Sequence, residues 1–215
     1  ENYLPFRRLR AVTMMATTHA LWGMAVALPV LAGEPTLAPV AFGAGLVGGL
    51  LPDLDLYAGH RKTLHYPVYA PLAAVPAVAL AIATPSTVTV GVAVGLTAMA
   101  LHAVTDAAGG GLELRPWLAD SDRAVYSHYH GRWIRPRRWV RYDGAPEDLA
   151  VAGIATVSLA AVAGSAVTAV AVALLAVSAV YVLVRKPLAT LAERLVGLLP
   201  TPVLPYVPER YRESQ

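Results

Sequence analysis

The stretch "DLAVAGIATVSLAAVAGSAVTAVAVALLAVSAVYVLVRK", residues 148–186, decides how often this chain crosses a bilayer. From Leu149 to Val184 it carries no charge. A helix needs about 20 residues to span a hydrocarbon core of roughly 30 Å, so the run is too long for one crossing. "AGSA" at 163–166 offers a tight turn, which divides the run into two helices. Four further apolar stretches lie upstream, near 14–32, 37–52, 66–84 and 87–106. The expectation is an all-α membrane protein, a bundle of about six transmembrane helices.

Charge placement tests that count. With six crossings, the gaps "AGEPTL", "TPST" and "GS" fall on one side, and all 17 Lys and Arg residues fall on the other with both termini. Positive residues favour the cytoplasmic side, so the termini and the polar loops are expected there, in a multi-pass cell membrane protein. Five crossings would move the last five cations outside. The chain then divides into an N-terminal cytoplasmic tail (1–13), a four-helix domain (14–118), a basic cytoplasmic loop (119–147), a helical hairpin (148–186) and an amphipathic, basic tail (187–215).

Composition agrees. Hydrophobic residues make up 56% of the chain and charged residues only 14%, where a soluble domain carries about 25% charged. Cysteine is absent, which excludes disulfides and thiolate metal sites. Small residues dominate the apolar stretches and let helices approach closely.

Against this background the polar residues stand out. His19 lies near the cytoplasmic start of the first helix. Asp53 and Asp55, in "LLPDLD", end the second on the same side, and His60, Arg61 and His65 follow in the next loop. His102 and Asp106 end the fourth helix, four residues apart and so on one face. Ionisable groups at membrane depth are costly unless paired or liganded. Four segments delivering His and Asp to one face therefore predict a metal site at the cytoplasmic end. Imidazole with carboxylate suits zinc first, with manganese or iron also fitting and room for more than one ion. His130, in "YSHYHGRW", is a candidate additional ligand.

These residues form a pattern that resembles the YdjM-like family of membrane-bound, metal-dependent hydrolases. The matching pieces are Thr18-His19, the run Leu50 to Asp55, Gly59-His60-Arg61, Thr63-Leu64-His65, His102 to Asp106, Gly109 to Gly111, and Pro116-Trp117. They agree in order and spacing over about residues 14 to 118. The chain departs from the pattern at Leu64, between Thr63 and His65, and at Tyr66 after it. The order of His and Asp is also similar, more loosely, to the zinc-dependent phospholipase C fold.

The resemblance implies a hydrolase with divalent metal held by His19, Asp53, Asp55, His65, His102 and Asp106, with His60 as a further ligand. Asp55 is the candidate general base or metal bridge, and His60 an alternative proton carrier. Arg61 would orient a phosphate, with Lys62 and Arg115 adding positive field. A site at headgroup depth makes a phospholipid or lipid-linked phosphate the economical substrate. The alternative is a non-enzymatic metal-binding scaffold for anionic lipid, nucleic acid or a protein partner. The loop "GRWIRPRRWVRYDG", residues 131–144, has a composition suited to anionic headgroups or nucleic acid. Positive-inside bias with an aromatic interfacial anchor explains it better, so nucleic acid is not the expectation.

Overall fold

The computed structural model describes residues 14–207. The expected N-terminal tail, 1–13, and the last residues of the basic tail, 208–215, lie outside the described residues. Seven α-helices occur among the described residues: α1 (Ala16–Ala25), α2 (Leu28–Gly33), α3 (Ala38–Leu50), α4 (Tyr69–Ala83), α5 (Thr87–Ala108), α6 (Pro146–Val162) and α7 (Ser165–Gly197). Local chemistry sets several of their ends. Ser86 and Thr89 form a reciprocal capping box at the start of α5. Pro146 opens α6, and the break at Ala163-Gly164 separates α6 from α7, where "AGSA" predicts a turn.

Four helical segments are long and apolar enough to cross a membrane: Ala16–Gly33, Pro35–Leu56, Thr87–Ala108 and Ser165–Gly197. Their outward faces agree with that reading. Only 11% of the apolar window of α7 is buried, and large side chains such as Val88 and Leu183 point outward. Patches of this kind do not persist in water on a monomer. The other two expected crossings, the third (α4) and the fifth (α6), have 15 and 17 residues, a little short of a full hydrocarbon span.

Helix α1 is central and packs against α3, α5, α6 and α7, while α3 and α4 also pack against α5. The motif-bearing stretch and the C-terminal hairpin therefore share one bundle. Its core is made by Leu21 and Met24 of α1, Phe42 of α3, Val90 and Val94 of α5, and Leu159 of α6.

Two features depart from the sequence reading. The basic loop carries a short antiparallel hairpin, β1 (Val125–Ser127) with β2 (Arg132–Ile134), pairing Tyr126 with Trp133. Ala124 and Val125 are fully buried, and the Tyr126 amide donates to the Arg61 carbonyl, so the hairpin is fastened to the bundle end. Helix α7 does not stop where its charges begin near Arg185. It continues through Pro187 to Gly197, because Arg185, Ala189 and Val196 keep packing against the protein beyond the apolar run.

Candidate metal centre

The site begins with glycines. A Cβ on Gly49 of α3 would strike the carbonyl of His19, and one on Gly48 would strike the carbonyl of Gly95. With no side chain at either position, α3 wedges between α1 and α5 at backbone contact. That closeness lets the His19 and His102 rings stack, with centroids 3.7 Å apart, and lets His102 Nδ1 reach the carbonyl oxygen of Gly49 at 2.7 Å. A carbonyl only accepts, so Nδ1 carries the proton, and when the ring is neutral, as a bound cation requires, Nε2 presents its lone pair to the site.

After α3 the chain tightens at Pro52 into a 3₁₀ segment, Leu51–Tyr57. With three residues per turn, Asp53 and Asp55 point about 120° apart. Asp53 faces the cluster and is 26% exposed. Asp55 is buried, and both its oxygens are taken: Oδ1 accepts from His60 Nδ1 at 3.0 Å and the Arg61 amide at 3.3 Å, while Oδ2 accepts from the Leu64 amide at 3.1 Å and His65 Nδ1 at 3.0 Å. The loop that makes this possible turns through positive φ at Gly59 and at Arg61, which has φ 60°. A non-glycine residue there stores strain that its surroundings must hold.

With Nδ1 tied to Asp55, His65 also turns its Nε2 inward. That atom lies 3.2 Å from His102 Nε2, 3.0 Å from Asp106 Oδ2 and 3.9 Å from Asp53 Oδ1. His102 Nε2 is 3.5 Å from both Asp53 Oδ1 and Asp106 Oδ2, and His19 Nε2 is 3.3 Å from Asp106 Oδ1. Donor atoms about 2.0–2.1 Å from one tetrahedral ion stand roughly 3.3 Å from each other, so this spacing fits a coordination shell. Two triads result, His19–His102–Asp106 and Asp53–His65–His102, sharing His102.

The donors fit a cation in two further ways. His19 Nε2 and Asp106 Oδ2 are buried and make no hydrogen bond among the described residues, a state that a ligand would relieve. Three carboxylates (Asp53, Asp55 and Asp106) gather near one buried guanidinium, that of Arg61 on Asp106, and with neutral imidazoles the two negative charges left over suit a divalent ion. No family model, curated protein or solved structure matches the chain. The reading of this centre therefore stands on its own geometry.

Burial works against a charge on His65, but Asp106 and Asp55 outweigh it and raise its pKa. The backing carboxylate is the usual outer partner of a metal-bound imidazole. Asp55→Asn should therefore weaken metal affinity about 10- to 100-fold while leaving the ligands in place. Competition with a chromophoric chelator measures the change.

Several expected site residues are placed differently. Asp55 and His60 are paired with each other and stand behind the ligands, because every oxygen of Asp55 is already bonded. Arg61 is buried, with NH2 donating to Asp106 Oδ1 at 3.2 Å and NH1 to the carbonyls of Gly110 and Ala124. Its terminal nitrogens are thus engaged with Asp106 and two carbonyls, while the residue also borders a cavity beside the cluster. Lys62 lies over the Tyr126 ring, Arg115 pairs with Glu193, and His130 bonds Ser127 inside the hairpin, away from both triads.

The sequence reading passed over Asp148. It is fully buried at the start of α6 and accepts from the Met15 amide at 2.7 Å, Thr18 Oγ1 at 2.6 Å and the Gly144 amide at 3.1 Å. It thereby anchors the turn of α1 that carries His19. An acid in the first turn of a helix is ordinary, so only the apolar run that follows it hinted at burial. Beside the centre lies a cavity of about 360 Å³, reached by Asp53, His60 and Arg61 on one side and Tyr181 and Arg185 on the other.

Proposed function

We propose that the protein is a membrane-embedded, metal-dependent hydrolase acting on a phosphoester of a lipid or lipid-linked substrate, with its site at the cytoplasmic face of a six-crossing bundle. The observation that carries this reading is the pair of His/Asp triads that share His102 beside a cavity. The YdjM-like pattern supports hydrolysis as the reaction. His19, Asp53, His65, His102 and Asp106 would hold the metal, zinc by preference. A divalent ion there supplies Lewis acidity and brings the pKa of a water toward neutrality.

The chain's own groups divide the remaining work. Gly49 and Asp55 hold His102 and His65 with their lone pairs inward. His60 lines the cavity and is backed by Asp55, an arrangement suited to accepting a proton from water and passing it outward. Arg61 keeps Asp106 oriented. Met15, Leu56, Leu112 and Val177 give the same cavity an apolar wall, which favours a substrate with a hydrocarbon chain over a free phosphate ester.

The test is elemental analysis of the purified protein, together with turnover of phosphatidic acid, phosphatidylglycerol and a prenyl phosphate in detergent. The expected result is stoichiometric divalent metal and hydrolysis of one of these, abolished by chelation and restored by zinc. Intact protein without metal overturns the reading. Metal without turnover favours the scaffold.

A further inference from the structure

Helix α7 carries its charges at one end only. Ser165 to Val184 contains none, and a run of about 20 residues matches the hydrocarbon thickness. Arg185 and Lys186 follow at once, at the depth of lipid headgroups. Their fates differ. Arg185 turns inward, where Asp143 accepts from its Nε at 2.9 Å and its NH2 at 3.1 Å. Lys186 lies about 100° further round the helix, and Thr190 and Arg194 follow four and eight residues later on the same outward side.

Across from that side stand Arg115 and Trp117, and together these five residues line a shallow pocket of about 560 Å³. Its charge is not cancelled. Arg115 pairs with Glu193, yet its Nε is buried with no hydrogen-bond partner among the described residues. Lys186 Nζ sits 5.7 Å from the centroid of Trp117 and 5.9 Å from that of Tyr142. Among the described residues, neither Lys186 nor Arg194 has a carboxylate within 4.0 Å. The cavity at the metal centre differs, since its two guanidiniums are neutralised by Asp106 and Asp143.

We propose that this pocket binds the phosphate of an anionic phospholipid, independently of the metal centre. Lys186 and Arg194 supply charge to the phosphate, with Arg115 beside them, and Trp117 provides the amphipathic ring that suits the interface. The acyl chains run back toward the apolar half of α7, along Leu183, which is exposed.

The full chain in phosphatidylcholine nanodiscs doped with phosphatidylglycerol, with retained lipid counted by native mass spectrometry, tests this. Phosphatidylglycerol should be retained over phosphatidylcholine. Lys186→Gln with Arg194→Gln should lower that retention about tenfold, at unchanged metal content and helicity. The charge-conserving pair Lys186→Arg and Arg194→Lys should keep it. Both sites are exposed, so folding is not at stake. Equal retention by the glutamine pair overturns the proposal. Displacement of the lipid by an equal concentration of inorganic phosphate overturns the headgroup assignment. Loss of the lipid in a His102→Ala, Asp106→Ala protein would put it at the metal centre instead and sink the pocket.

Discussion

His102→Ala combined with Asp106→Ala should empty the protein of metal. His102 belongs to both triads, and Asp106 approaches all three inward-facing imidazoles, so the pair of changes leaves neither triad intact. The remaining donors, His19, His65 and Asp53, have nothing to close a shell around them. Elemental analysis of the double variant should find metal near background where the parent is stoichiometric. Stability should respond as linkage requires: an ion at 100 times its dissociation constant stabilises the parent by about 2.7 kcal/mol, and chelation should remove that stabilisation from the parent but take nothing from the variant. Acid should act in the same direction. A proton on His65 competes with the ion, and its pKa is raised, so affinity should climb with pH until that raised value is passed. A double variant that retains the parent's metal would contradict the assignment of the centre.

Arg61→Met should be the most damaging single change near the site, and its severity should depend on the metal. Arg61 is the one guanidinium paired with Asp106 among the described residues, and the carbonyls of Gly110 and Ala124 lean on it as well. Removing one member of a buried ion pair costs about 3–5 kcal/mol, because the other charge stays behind without compensation. In the metal-free protein that full cost should appear. In the loaded protein the ion answers Asp106, leaving only the two carbonyls short of a donor, so the penalty should shrink. Thermal melts of parent and variant, each with and without chelator, give the four values needed. Equal penalties in both states would mean that Arg61 braces the loop alone and does not act through Asp106.

Much of this was visible in the sequence, for a definite reason. In a chain with so few charges, each polar residue inside an apolar stretch is conspicuous, and His19, Asp53, His65, His102 and Asp106 do meet. The i,i+4 spacing of His102 and Asp106 sufficed to put them on one face. The roles of the "PDLD" carboxylates were not legible, since their directions depend on the 3₁₀ geometry, which the tetrapeptide does not announce. Nor was the burial of Arg61, which accompanies a positive φ that is uncommon for arginine. The hairpin at 125–134 was hidden by its basic, proline-containing surroundings. The extension of α7 was hidden by Pro187, a residue that ordinarily argues for a stop.

The tether from Asp148 to Met15 and Thr18 has a consequence for what counts as the unit of this protein. Every residue of the two triads lies upstream of residue 107, yet the turn that aims His19 is gripped from across the bundle by an acid that belongs to neither. Possessing the ligands and being able to assemble them are therefore separate properties, lodged in different halves of the chain. Changes far downstream of the motif-bearing stretch can displace His19 without touching a residue of either triad.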